Sequence, residues 1–190
     1  MRITKDIPYG PCGMLLDFYA PAQDGFDTLI WFHGGGFETG SRRDAEPLAE
    51  SVTEMGLGFA SVEYRMFPMA KYPDFLLDAA WATAFLQKHG QDYGCGGRFV
   101  ISGQSAGAYI TMMLALNGAL LQNAGADESS ILAYVSESSQ QTTHYNMLRQ
   151  RGIDKRAERI DEEAPLYYVG QRPLQKPLLL IYNAEDIPCR

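Results

Sequence analysis

Phe99-Val100-Ile101-Ser102-Gly103-Gln104-Ser105-Ala106-Gly107 is the stretch on which the fold turns. An apolar run feeds a G-x-S-x-G pentapeptide, and a helix-like stretch follows directly. Strand, sharp turn and helix is the setting in which that pattern carries chemistry. Glycines at both ends of the pentapeptide let strand and helix approach closely through a strained turn. The serine oxygen is then held out at the carboxyl edge of a sheet. Alone the pattern is a weak signal, because small residues gather in many turns. The flanking strand and helix give it weight.

A second pattern lies upstream. Thr28-Leu29-Ile30-Trp31-Phe32 reads as a buried strand and runs into His33-Gly34-Gly35-Gly36-Phe37. A glycine run after a strand lets backbone N–H groups turn toward one point with no side chain in the way. In acyl transfer that point is the oxyanion of a tetrahedral intermediate. A flexible turn is the plain alternative, and the downstream serine turn argues against it.

Around these motifs strands and helices alternate. Residues 1–8 and 14–20 read as a strand pair around Gly10-Pro11-Cys12-Gly13. A helix after Ser41-Arg42-Arg43-Asp44 is expected to bury Leu48, Val52 and Met55 and to stop at Gly56. Residues 58–63 form the next strand, and residues 73–89 a helix closed by Gly90. One apolar helix is expected over residues 106–121, with Met112, Met113, Leu114 and Leu116 in the core. Residues 131–136 and 177–182 complete the strands, and polar, irregular residues 138–165 are a candidate cover segment over the site. The alternation predicts an α/β fold with a mostly parallel, doubly wound sheet. Both motifs then fall outside the carboxyl ends of strands, where such sheets bind ligands.

With these residues in place, the chain resembles the α/β-hydrolase superfamily, and within it the HGGG-type carboxylesterases related to hormone-sensitive lipase. The likeness runs from Leu15-Leu16-Asp17-Phe18-Tyr19-Ala20-Pro21 to Asp186. It includes Glu63-Tyr64-Arg65, Tyr72-Pro73 with Asp78, and Ser105-Ala106-Gly107-Ala108. The resemblance implies that Ser105 is the nucleophile. It implies that the N–H groups of Gly35, Gly36 and Ala106 form the oxyanion hole, and that His33 supports the glycine loop and is not the base.

A serine nucleophile needs a histidine base, usually oriented by a carboxylate. The family order is serine, then acid, then histidine. Asp186 stands where the family places its acid; Glu185 is the nearest competitor, and a solvated loop carboxylate is the plain reading of either. Only Ile187, Pro188, Cys189 and Arg190 follow. The three histidines are His33, His89 and His144. His89 ends a helix and reads as a partner of its dipole. His144 has three readings: a packing or surface residue, a substrate contact, or a substitute base. The resemblance further implies a last strand, a C-terminal helix and a histidine-bearing loop. Without them the apolar run at residues 178–182 is an open sheet edge through which copies associate. A further segment, a covering chain, or a catalytically silent relative would each account for this.

Composition narrows the partners. The 190 residues fit a single domain with a sizeable core, 46% hydrophobic and 12% aromatic. Net charge is −7 and the 16 Lys and Arg residues are scattered, which argues against nucleic acid or an anionic membrane. Cys12, Cys95 and Cys189 lie far apart and read as free thiols. A charged N-terminus and the lack of a long apolar run predict a cytoplasmic protein. Asp161-Glu162-Glu163 has no neighbouring His or Cys and reads as a solvated face, and the hydrolase resemblance implies neither a metal nor an organic cofactor.

The expected reaction is cleavage of a carboxylic ester of a small or medium-sized substrate through an acyl-enzyme. Two alternatives remain open: an arylformamide or peptide cleaved by the same machinery, or a non-catalytic binding protein on the hydrolase fold.

Overall fold

A computed structural model describes residues 1–182; Glu185, Asp186 and Cys189 lie outside the described residues. Along the chain run β1 (Arg2–Tyr9), β2 (Met14–Ala20), β3 (Phe26–Phe32), α1 (Glu46–Glu54), β4 (Gly58–Val62) and α2 (Asp74–His89). There follow β5 (Cys95–Gln104), α3 (Ala106–Leu116), α4 (Gly118–Asn123), β6 (Ile131–Glu137), α5 (Tyr145–Gln150) and β7 (Leu178–Ile181).

The strands make one sheet in the order β1-β2-β4-β3-β5-β6-β7, and only β2 runs against the others. The sheet is therefore mostly parallel, as the alternating pattern predicts. Parallel strands need crossover helices, and helices on both faces make the central strands apolar on both sides. All five residues of β4 are buried accordingly. β1, at the edge, exposes Arg2, Lys5 and Asp6, a charged rim that discourages further pairing.

The winding reverses at one place. From β3 the chain crosses through α1 to β4 on one side. It then returns through α2 to β5 on the other side of β3. The carboxyl ends of β3 and β5 flank that switch point, the place where open α/β sheets bind ligands.

Two apolar clusters hold the layers together. On one face α2 and α3 bury Leu76, Leu86, Tyr109 and Met113 against Phe18, Ile30, Phe32 and Ile101. On the other, α1 covers Tyr19, Trp31 and Phe59.

Two helices depart from expectation. The buried side of α1 is Ala49, Val52 and Thr53, whereas Leu48 and Met55 are 40% and 68% exposed. Small Ala49 lets the helix sit close on the Tyr19–Phe59 surface, so the buried stripe follows fit and not side-chain size. The helix expected over 106–121 is broken at Asn117, whose ψ of 82° leaves the helical region. Arg172 fills the break and donates to Ala115 O at 3.0 Å and Leu116 O at 3.2 Å, supplying partners to end-of-helix carbonyls. A β-carbon on Gly118 would lie 2.1 Å from that guanidinium. A side chain from 56 residues away thus sets the helix end.

Candidate active site

Ser105 occupies the turn between β5 and α3 with φ 53° and ψ −111°, a backbone conformation that a residue with a side chain rarely adopts. Its N–H donates to Glu137 O at 2.8 Å and its carbonyl accepts from Tyr109 N–H at 2.9 Å, so the strain is held from both ends. The side chain is half-exposed.

The flanking glycines explain the tight turn. A β-carbon on Gly103 would fall 2.4 Å from Gly107 C, and one on Gly107 would fall 1.9 Å from Phe32 O. Helix α3 therefore begins in backbone contact with both β5 and β3, which only glycine permits. Neither glycine has a left-handed φ; closeness, not dihedral freedom, requires them.

The glycine loop meets the serine turn directly. A β-carbon on Gly34 would stand 3.4 Å from Ser105 Cβ and 3.2 Å from Gln104 O. Gly35 and Gly36 adopt φ of 111° and 64°, which glycine alone accepts easily. Gly35 O accepts the N–H groups of Glu38 and Thr39, both at 3.1 Å. Gly34 O lies 2.7 Å from His33 Nδ1. A trans peptide points its N–H opposite to its carbonyl. The N–H groups of Gly35 and Gly36 are therefore turned away from the partners that hold those carbonyls. Ala106 is the first residue of α3, so its N–H has no acceptor within the helix.

Two consecutive residues after β4 brace this loop, and the third ties the same turn to α2. Glu63 Oε1 lies 3.1 Å from His33 Nε2. Tyr64 stacks on the His33 ring at 4.3 Å and donates its hydroxyl to His33 O at 2.7 Å. Arg65 grips the buried carboxylate of Asp78 on α2 with its Nε and a terminal nitrogen, each at 2.9 Å to one oxygen. Burial pushes the Glu63 carboxyl up, but the His33 hydrogen bond and charge, the Arg42 N–H and the Arg42 guanidinium outweigh it. The group is held below the ordinary glutamate value of 4.5. Arg42 is itself buried and also pairs with Asp17 at 3.0 Å and with Asp6.

The remaining histidines stand at the end of α2 and at the start of α5. His89 stands in the last turn of α2, 3.7 Å from Asp92, where a helix dipole favours positive charge. His144 caps α5, its Nδ1 accepting the Asn146 N–H at 3.2 Å. Its ring is buried edge-on to Phe37 at 4.7 Å and Tyr109 at 5.7 Å.

Residues 138–165 are tied down more firmly than their composition suggests. Tyr72 and Tyr168 both donate to Glu162 O, at 2.8 and 3.0 Å, and buried Tyr109 donates to Glu163 O. Thr143 Oγ1 and Arg151 both bind Asp161. Within this segment α5 brings Tyr145 against the glycine loop, where a β-carbon on Gly36 would lie 2.0 Å from the Tyr145 hydroxyl. Arg149 pairs with Glu38, just past the glycines.

The sequence assigns no role to Tyr145, and Glu63 and Tyr64 enter it only through the family resemblance. The position of Glu63-Tyr64 at the carboxyl end of a strand beside β3 was the available signal. Nothing local marks Tyr145, because its contact depends on how the irregular segment folds back.

A mostly parallel sheet, a strained serine after β5 and a glycine loop at the switch point define the α/β-hydrolase fold. Within that class the chain belongs to the BD-FAE family, whose signature matches residues 16–148. It is 35% identical over 123 residues to esterase LipQ of Mycobacterium tuberculosis, a match covering 60% of this chain and 29% of LipQ. It is 33% identical over 93 residues to hormone-sensitive lipase of Homo sapiens, covering 48% of this chain and 9% of that protein. Among solved structures, an esterase of Pyrobaculum calidifontis superposes with a TM-score of 0.74 at 18% identity, covering 94% of this chain and 65% of that one. The chain thus matches less than a third of the length of LipQ.

Among the described residues, no helix is long and apolar enough to cross a membrane. β7 pairs only with β6 there, and Leu179, Leu180 and Ile181 are 43–56% exposed.

Proposed function

We propose that the protein hydrolyses carboxylic esters of small or medium-sized molecules with Ser105 as nucleophile. The observation that carries this reading is the half-exposed, strained Ser105 in contact with Gly34 of the glycine loop. In the proposed reaction Ser105 Oγ attacks the ester carbonyl carbon while its proton passes to the base, a histidine on the loop that the resemblance to the carboxylesterases implies. The carbonyl oxygen becomes an oxyanion held by the N–H groups of Gly35, Gly36 and Ala106. Collapse breaks the ester C–O bond, and the alcohol leaves with the proton. Water then attacks the acyl-serine, releasing the acid and restoring the hydroxyl.

Asp186 is proposed as the carboxylate that orients the base. His33 is proposed as loop support, since both its ring nitrogens face oxygens of the loop and of Glu63. His144, buried against Phe37 and Tyr109, is proposed as a packing residue that holds Phe37 beneath the glycine loop; a His144→Gln variant with a lowered unfolding midpoint and unchanged KM is the expected sign. The β7 edge is proposed to pair copies of the protein, which light scattering across a concentration series would read as a growing mass.

The main test is hydrolysis of p-nitrophenyl acetate by the intact protein. Turnover is expected, with Ser105→Ala abolishing it and a fluorophosphonate labelling Ser105. No turnover and no labelling would overturn the proposal in favour of a binding protein. An arylformamide or peptide cleaved far faster than any ester would replace the substrate class while keeping Ser105.

A further inference from the structure

Tyr145 carries a hydroxyl that the reaction above does not use. Among the described residues no group hydrogen-bonds to that hydroxyl, and Tyr145 is only half-buried. The hydroxyl therefore keeps its proton available to a molecule entering the site. We propose that the Tyr145 hydroxyl is a catalytic hydrogen-bond donor. It reaches the substrate carbonyl oxygen beside the Gly36 N–H and strengthens its hold as that oxygen gains charge. The proposal rests on the reading of Ser105 as nucleophile.

Three observations carry it. First, the hydroxyl and not the ring makes the contact. From the β-carbon position of Gly36 the oxygen is 2.0 Å away, Cζ 3.1 Å and Cε1 3.9 Å. The phenol therefore points its polar end at the loop. Second, the donor is preorganised. Tyr145 N–H is anchored on Gln140 Oε1 at 3.3 Å, and its ring lies against that of His144 at 4.3 Å. One turn on, Arg149 pairs with Glu38 and lies over the Phe67 ring at 5.7 Å, so α5 is fastened to the far end of the same loop. Third, the segment bearing Tyr145 leaves β6 at Glu137, whose carbonyl accepts the Ser105 N–H. The nucleophile, the glycine loop and the phenol are thereby held in one frame. Fixed donors aimed where charge develops stabilise a transition state without reorganising.

Tyr145→Phe keeps the ring and removes the donor. Compared with wild type in the intact protein, kcat for p-nitrophenyl acetate is expected to fall about 10- to 100-fold with KM within twofold. Fluorophosphonate labelling of Ser105 should slow by a similar factor, because the phosphonyl oxygen enters the same donors. The thermal unfolding midpoint should stay unchanged, which separates lost chemistry from lost structure. Wild-type kcat and labelling rate in Tyr145→Phe would overturn the inference and leave the phenol as filler. A raised KM with unchanged kcat would overturn it too, since the donor would then serve the ground state. A wild-type protein that is neither active nor labelled would sink the hydrolase reading itself, an outcome visible before any Tyr145 variant is made.

Discussion

A β-carbon on Gly107 would lie 1.9 Å from the carbonyl oxygen of Phe32. The first turn of α3 therefore rests on the backbone of β3 at the strand's last residue, and His33 begins the glycine loop immediately beyond. This contact joins two motifs far apart in the chain. Gly107→Ala is expected to lower stability by about 1–3 kcal/mol or more, because a backbone carbonyl within a sheet cannot yield as a flexible side chain would. Urea unfolding of the variant beside wild type measures it; an unchanged midpoint would mean that α3 shifts freely.

Ser105→Gly should behave differently from Ser105→Ala. The φ of 53° with ψ of −111° strains any residue with a β-carbon, at about 1–3 kcal/mol. Glycine relieves that strain but widens the unfolded ensemble, which offsets about 0.5–1 kcal/mol. Ser105→Gly is expected to unfold at higher denaturant than Ser105→Ala, while both lose ester hydrolysis. Equal midpoints would show that the turn stores little strain.

Acid should loosen the glycine loop through Glu63. Its carboxyl is held below the ordinary value of 4.5 in the folded protein. The folded state therefore favours the charged form. The stabilisation is complete above that value and fades as pH falls through the lower, folded one. Glu63→Gln should be less stable than wild type at neutral pH and should show a shallower decline below pH about 4.5. Thermal unfolding across the acid range reads the difference; parallel curves would remove Glu63 from the account.

Tyr109 anchors the irregular segment from the core. Its hydroxyl donates to Glu163 O, and burial pushes its ionisation well above the ordinary tyrosine range, so it stays a donor. Tyr109→Phe deletes that hydrogen bond and leaves the carbonyl short of a partner, at a cost of about 1 kcal/mol or more. Amide exchange in residues 138–165 is expected to quicken while β3 and β5 keep their protection. Uniform quickening across the sheet would instead point to global destabilisation.

The class of fold was legible because its signals are local. Apolar runs bounded by glycine mark β3 and β5, and alternating helices force a parallel sheet. G-x-S-x-G and the triple glycine mark backbone crowding that no other residue tolerates. The end of α3 was not legible, because Arg172 reaches its carbonyls from 57 residues on. The buried side of α1 was misjudged for a related reason: large Leu48 and Met55 face solvent while Ala49 fits the sheet.

Residue order alone therefore established the winding of the sheet and the two turns at its switch point. Local dihedral preference and strand periodicity suffice for that. The bracing of His33 by Glu63 and Tyr64, the latch on residues 138–165 and the approach of Tyr145 to Gly36 came only with folding. Each joins side chains whose separation along the chain carries no period, so only the packing of distant segments brings them within hydrogen-bond or van der Waals reach.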